Sequence, residues 1–324
     1  MKKMLALLMA GTLVVGLLGG CARGSAATSE NYKIAIVQHV DHPSLNQIRD
    51  AIEGELNELG MGDEVEISFH NANGDMNLLQ TIMQNLVGDE VDMIVPIATP
   101  TAQAAMASTK DIPIVFSAVS NPVEAGLVRS FSETDKNITG VSNSIPVQDI
   151  LDLSRVLTPG VKTYGLVYNS SEINSSTGIE RAKDYLEMEG LVYREVTITG
   201  TADLHQAVSS LVEEVDAFFT PNDNTVASAM PTYVQLATEA GIPIYVGADS
   251  MVKDGGFATV GIDYTLLGKQ TGRMIKRIAD GGEISDNPVE QIAEYANMIN
   301  MDAAAALGIV IPEEMKDDFI LISN

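Results

Sequence analysis

Two of the four histidines stand in QHVDHPSLN (38–46) with an aspartate between them, a grouping that invites a metal. His39 and His42 straddle the end of an apolar run and the start of a helical pattern, so they need not share a face. Exported metal receptors gather three or four His and carboxylate ligands, and the remaining histidines are His70 and His205. No metal and no cofactor is expected. The better reading is a ligand-contacting loop in which His42, Ser44 and a helix amino end present donors to a bound molecule. Ser250-Met251-Val252-Lys253 fits the S-x-x-K of penicillin-recognising serine enzymes, and Ser285-Asp286-Asn287 supplies an S-D-N. The K-T-G that should follow is missing, and the S-x-x-K lies too near the C-terminus. Gly268-Lys269-Gln270-Thr271 resembles the end of a phosphate-binding loop, but the glycine required five residues earlier is Asp263. G-x-S-x-G and H-E-x-x-H do not occur. Binding without catalysis is the expected role.

The elements that must position these residues are short Val/Ile-rich runs alternating with stretches of helical period, the pattern of a parallel sheet covered by helices. KIAIVQ (33–38) is followed by Leu45, Ile48, Ile52, Leu56 and Leu59 on one helical face, ended by Gly60. EVEISFHNA, DMIVPIAT and IPIVFSAV continue the series, with helices between. The plan then repeats: KTYGLVYN (162–169) answers the first run, VDAFFTPND (215–223) answers VDMIVPIAT (91–99), and IPIYVGAD (242–249) answers IPIVFSAV (112–119). The expected fold is α/β, with two Rossmann-like lobes, each a parallel sheet flanked by helices, joined by three hinge segments. Lobe 1 takes residues 32–142 and 263–285, lobe 2 residues 143–262 and 286–324. MDAAAALGI (301–309) is expected as a closing helix on lobe 2.

Ligands of open α/β sheets bind beyond the carboxyl ends of the strands. The loops there are HVDHPSLN, ATPT, SAVSNP, YNSSEINSS, TPNDNT and VGADS, all dense in Ser, Thr, Asn and Asp. Ser44 with Gln47 fits a capping box, and Thr99, Ser175 and Asp223 are placed to cap helices. Gly140-Val141-Ser142 and Gly261-Ile262-Asp263 suit hinges between the lobes.

MKKMLALLMAGTLVVGLLGG (1–20) reads as a cleaved secretory signal, with a basic start and an apolar run short for a bilayer span. The cut site Leu18-Gly19-Gly20-Cys21 resembles a bacterial lipobox, so Cys21, the single cysteine, is expected to carry lipid. Residues 21–31 would be a tether holding the folded part at the outer face of the cytoplasmic membrane. With 44 acidic against 19 basic residues and a net charge of −25, an exported chain of this kind has no nucleic-acid partner.

Over HPSLNQIRDAIEGEL, IATPTAQAA, DIPIVFSAVSNPVEAGLV, NITGVS, SEINS, PNDNTVASA, IPIYVGADSMVKDGGFATVGIDYTLLGKQTG and INMDAAAALGIVIP, the chain resembles the tryptophan/tyrosine-type substrate-binding lipoproteins of ABC transporters. The likeness runs from Tyr32 to Pro312. It implies a type I periplasmic-binding-protein fold, a monomer that closes around one small molecule and presents it to a membrane permease. The ligand implied is an L-amino acid with an aromatic or other apolar side chain. Asn121 departs from the aspartate that many relatives have before the proline, which bears on the ligand class. A zwitterion would place its carboxylate on Ser44, Thr99, Thr101 and Ser175, and its ammonium on Asp223 and Asp249, with Glu172 third. Asn174 and Asn224 would add neutral hydrogen bonds, and Ser120 lies beside Asn121. Without tryptophan in the chain, aromatic contact would fall to Phe116, Tyr168 or Tyr264. Competing readings are a receptor for a nucleoside or sugar, and a penicillin-recognising serine hydrolase.

Overall fold

The computed structural model describes residues 31–134, 137–292 and 295–323. The expected leader and Cys21, with all but the last residue of the tether, lie outside them. The first sheet is built from β1 (Tyr32–Gln38), β2 (Val65–Asn71), β3 (Met93–Ile97), β4 (Ile114–Ser117), β5 (Ile138–Ser142) and β11 (Glu290–Gln291). All are parallel, in the order β11-β5-β4-β3-β1-β2. The second sheet holds β6 (Thr163–Asn169), β7 (Val192–Ile198), β8 (Ala217–Thr220), β9 (Ile244–Val246), β10 (Ala258–Ile262), β12 (Tyr295–Asn300) and β13 (Ile320–Ile322), ordered β13-β12-β10-β9-β8-β6-β7. Among the described residues only the β10–β12 pair in it is antiparallel. Both sheets share the doubly wound order in which the second strand lies outside the first, so each has its switch point next to its first strand.

The first lobe's helices are α1 (Pro43–Glu58), α2 (Met76–Gly88), α3 (Thr99–Ser108) and, returning late in the chain, α10 (Tyr264–Ala279). The second lobe carries α4 (Val147–Leu157), α5 (Ile173–Met188), α6 (Leu204–Leu211), α7 (Asn224–Ala227), α8 (Met230–Glu239), α9 (Asp249–Lys253) and α11 (Met301–Leu307). The reason the strands read as unbroken apolar runs is visible in β1. Ile34 and Ile36 face one core with Leu45, Ile48, Ile52 and Leu56 of α1, while Ala35 and Val37 face another with Leu79, Met83 and Ala102 of α2 and α3. Leu59, expected on the buried face of α1, is its C-cap and stands exposed.

The chain passes between lobes after β5 and after β10, as the Gly-rich steps suggested. The third passage comes later than the expected boundary at residue 285, because Glu290 and Gln291 still pair with Val141 and Ser142 of the first sheet. The GKQT segment lies inside α10, where its glycine serves packing. A Cβ on Gly268 would stand 2.6 Å from both the Ala51 Cβ and the Ile48 carbonyl oxygen of α1. One turn on, Gly272 faces Glu55, whose buried carboxylate takes a 2.9 Å hydrogen bond from Arg273. This close crossing fixes α1, and so the loop at its amino end, against the first sheet. Gly268→Leu must push the helices apart and is expected to cost about 1–3 kcal/mol in urea unfolding, with an unchanged midpoint contradicting the packing argument.

Candidate functional site

The carboxyl ends of the two sheets face each other, and the loops that follow their strands touch. The loop after β1 places His42 at the N-cap of α1 with an extended backbone, followed by Pro43, Ser44 and Leu45. The His42 Nε2 lies 3.3 Å from the Asn224 Oδ1 of α7, and the Ser44 hydroxyl bonds the Ser250 hydroxyl of α9. Nearer the hinge, the Asn222 Nδ2 donates to the Ser120 Oγ at 2.9 Å and to the Asn143 carbonyl at 3.3 Å. At the rim the Thr177 Oγ1 donates to Glu124 at 2.6 Å. These bonds hold the lobes closed over a small cavity.

Polar side chains dominate its lining: His42, Ser44, Ser120 and Asn143 on one side, Asn174, Asn222, Asp223 and Asn224 on the other, with Tyr264 from the second crossing. Leu45, Ala118, Ala227, Ala248 and Met251 supply apolar wall. Asn174 also lines an adjoining cleft with Thr99, Asn121, Ile173 and Thr177. Two backbone positions are strained here. Ala98 and Ala118, at the ends of β3 and β4, take φ of 82° and 59°, a region that costs a residue bearing a Cβ about 1–3 kcal/mol.

Several buried polar atoms have no protein partner: the Thr99 and Thr101 hydroxyls at the amino end of α3, the Asn174 Oδ1 and the His42 Nδ1. A buried polar atom left unpaired costs about 1–3 kcal/mol. Of these residues His42 and Asn174 line the cavity, and Thr99 lines the adjoining cleft.

The acidic residues separate by role. Asp223 lines the cavity and caps α7, accepting from the Val226 N–H at 2.8 Å and the Asn169 N–H at 2.6 Å. Burial, then the Glu172 charge, pushes its carboxyl up to about 7. Glu172 is turned onto the start of α7, accepting from the Thr225 N–H at 3.1 Å, the Asn224 N–H at 3.2 Å and the Asn224 Nδ2 at 2.5 Å. It borders a separate groove, not the cavity. Asp249, expected to face the ligand, is instead occupied by Lys253 at 2.6 Å and by the Ser250 N–H at 2.7 Å. Burial still raises it. Burial drives His42 down to about 4, and lowers His39, which stands in the groove near Glu172. Among the described residues no three His, Cys, Asp or Glu side chains come together as a metal site.

Other expectations shift in detail. The Ser44–Gln47 capping box does not form, because Ser44 is claimed by Ser250 and the Gln47 Nε2 donates to the Thr265 Oγ1 at 2.6 Å. Thr99 is the first residue of α3, not its cap, and Ser175 lies within α5, buried next to Asn174. Asn121 spends its oxygen on the N–H groups of Val123 and Glu124 in a turn. Of the three aromatics, Phe116 and Tyr168 belong to the lobe cores, and only Tyr264 reaches the cavity, where its hydroxyl accepts from the Asn143 Nδ2 at 3.3 Å. Lys253 of the S-x-x-K pairs with Asp249, and Asn287 of the S-D-N accepts from the Arg277 Nε at 3.0 Å in another part of the fold. Leu45, Met251, Asn143 and Asn222 were missed. Asn222 stands in the polar TPNDNT loop beside Asp223, whereas Leu45 and Met251 look like any core residue in sequence.

The family model for ABC transporter substrate binding proteins matches residues 33–318. The chain belongs to that family. Membership brings a small-molecule ligand and a transporter as partner. The tyrosine-binding protein of Clostridioides difficile is 38% identical over 318 residues, covering 94% of this chain and 92% of the relative. The ABC domain of Streptococcus pneumoniae in complex with L-Trp superposes with a TM-score of 0.88 at 38% identity, covering 91% of this chain and all of that one. The ligand-free, open structure of a substrate binding protein with adhesive properties from Clostridium difficile gives 0.70 at 37% identity, over 90% and 99% of the two chains. At nearly equal identity the better fit is to the liganded structure, in keeping with the hydrogen bonds that close the cleft here. Solute-binding structures below 20% identity, such as a 5-methylthioribose-bound one with a TM-score of 0.60, share the fold.

Because the carboxyl of Asp223 is raised from 3.8 to about 7 in the folded chain, that chain holds its proton longer than the unfolded one. The group therefore costs stability increasingly as pH rises from about 4 to about 7. Asp223→Asn removes this cost at every pH, so its stability relative to the parent should improve between pH 5 and pH 8, on the order of a kcal/mol or more. A pH-independent difference in denaturant midpoints would contradict the shift.

Proposed function

We propose that the chain is an extracytoplasmic receptor, a lipid-anchored monomer, that closes on an L-amino acid with an aromatic side chain and hands it, unaltered, to an ABC permease. The observation that carries this reading is the set of buried, unpartnered hydroxyl and amide atoms at the amino ends of α3 and α5, beside a cavity that also holds a buried carboxylate. A zwitterion entering a closing cleft loses water from two charges, and each must find a partner. The Thr99 and Thr101 hydroxyls and the N-terminal amides of the ten-residue α3 suit the carboxylate. Asp223 and the Asn174 Oδ1 suit the ammonium, with the Glu172 charge behind Asp223. The relatives named for tyrosine and solved with L-Trp favour an aromatic side chain, for which Leu45, Ala227, Met251 and Tyr264 offer wall.

Because both lobes contribute, only the closed form satisfies the ligand, and binding draws the population toward closure. A micromolar site needs about −8 kcal/mol, within reach of two charge interactions and one buried ring. Attachment to the membrane would be through a lipid on Cys21, in the lipobox-like Leu18-Gly19-Gly20-Cys21.

Protein unfolded, refolded and thereby freed of carried-over ligand should bind L-tyrosine or L-tryptophan in calorimetry, and Asp223→Ala should weaken that binding tenfold or more. An ammonium beside Asp223 lowers its pKa, so binding near neutral pH should release protons, and affinity should rise with pH until Asp223 is ionised in the free protein at about 7. Affinity that falls over that range would reject Asp223 as the ammonium partner. In cells, Cys21→Ala should move the protein from the membrane fraction to the soluble one; unchanged fractionation would refute the anchor.

A further inference from the structure

Asn224 and His42 form a chain of hydrogen bonds whose direction is fixed at its far end. The Glu172 carboxylate accepts the N–H and hydroxyl of Thr225 on one oxygen and the N–H of Asn224 on the other. The Asn224 side-chain group that meets Glu172 at 2.5 Å must therefore be the amide nitrogen. That leaves the Asn224 oxygen to face the His42 Nε2 at 3.3 Å, and an amide oxygen only accepts. The proton of the imidazole thus sits on Nε2 and Nδ1 carries a lone pair. Nδ1 is buried, has no protein partner and belongs to a ring that lines the cavity. Burial holds the imidazole neutral to about pH 4, so it remains an acceptor at neutral pH.

The cavity that His42 lines also offers apolar wall for a ligand side chain. Leu45 stands on the same first turn of α1, Ala227 ends the short α7 that begins with Asn224, and Met251 follows the serine that bonds Ser44. All three are apolar cavity wall. The unpartnered hydroxyls suited to a carboxylate are elsewhere, at the amino end of α3.

We infer that His42 accepts, on Nδ1, a hydrogen bond from a donor on the ligand's side chain, so that the site selects aromatic amino acids bearing a phenol O–H or indole N–H over phenylalanine. The inference rests on the reading of the cleft as an amino-acid site. It makes His42 an acceptor where the sequence suggested a donor. A ligand without the donor leaves Nδ1 buried and unpaired, which costs affinity beyond the lost bond.

The test is a calorimetric panel on the refolded, ligand-stripped full-length protein: L-tyrosine against L-phenylalanine, and L-tryptophan against 1-methyl-L-tryptophan. In each pair the second compound should bind at least about tenfold more weakly. In His42→Ala the tyrosine-to-phenylalanine ratio should collapse to within about threefold, since no acceptor remains to reward the hydroxyl. Equal affinities of tyrosine and phenylalanine in the parent protein overturn the inference alone, and are the result expected if Nδ1 meets the ammonium common to all amino acids. A ratio preserved in His42→Ala overturns it as well. No binding of any compound overturns both the inference and the amino-acid reading on which it rests.

Discussion

Closing two lobes over a polar cleft is the act on which the rest of this structure depends. In the closed structure the Thr99 and Thr101 hydroxyls, the Asn174 Oδ1 and the His42 Nδ1 are buried without protein partners. Hydrogen bonds between lobes, such as Asn222 to Ser120, offset part of that cost, yet each is worth only about 1 kcal/mol net. A cleft so furnished is stable shut when something inside completes the bonding, which is what a receptor needs if closure is to signal occupancy.

The same economy explains why the acidic side chains do not all face the cavity. Asp223 and Glu172 both satisfy N–H groups around the start of α7, a helix of four residues with little stability of its own. Two carboxylates at one helix start repel, and burial raises Asp223 toward neutrality. On the amino-acid reading proposed above, the ligand's ammonium would relieve that repulsion. Ala98 and Ala118 add backbone strain on the opposite lobe. The close α1–α10 crossing at Gly268 provides the rigid seat against which these devices act.

Much of this was legible before any coordinates. Runs such as KIAIVQ and VDAFFTPND are apolar throughout because both faces of a parallel sheet are covered, and their recurrence gave away the two lobes and the loops between them. What sequence could not resolve was competition for a side chain. Asp249, Asp223 and Glu172 look alike as acids in polar loops, but Lys253, one turn after Asp249, captures it, and that pairing depends on a short helix no periodicity announces. Ser44 carried a capping-box pattern that lost to a serine 206 residues away.

The claim that a ligand completes the closed cleft is tested most directly by small-angle X-ray scattering on stripped protein with and without saturating L-tyrosine. The account predicts a larger radius of gyration and a broader distance distribution without ligand, and contraction to the closed profile on its addition. Identical profiles in the two states, with binding verified in the same samples, would contradict it.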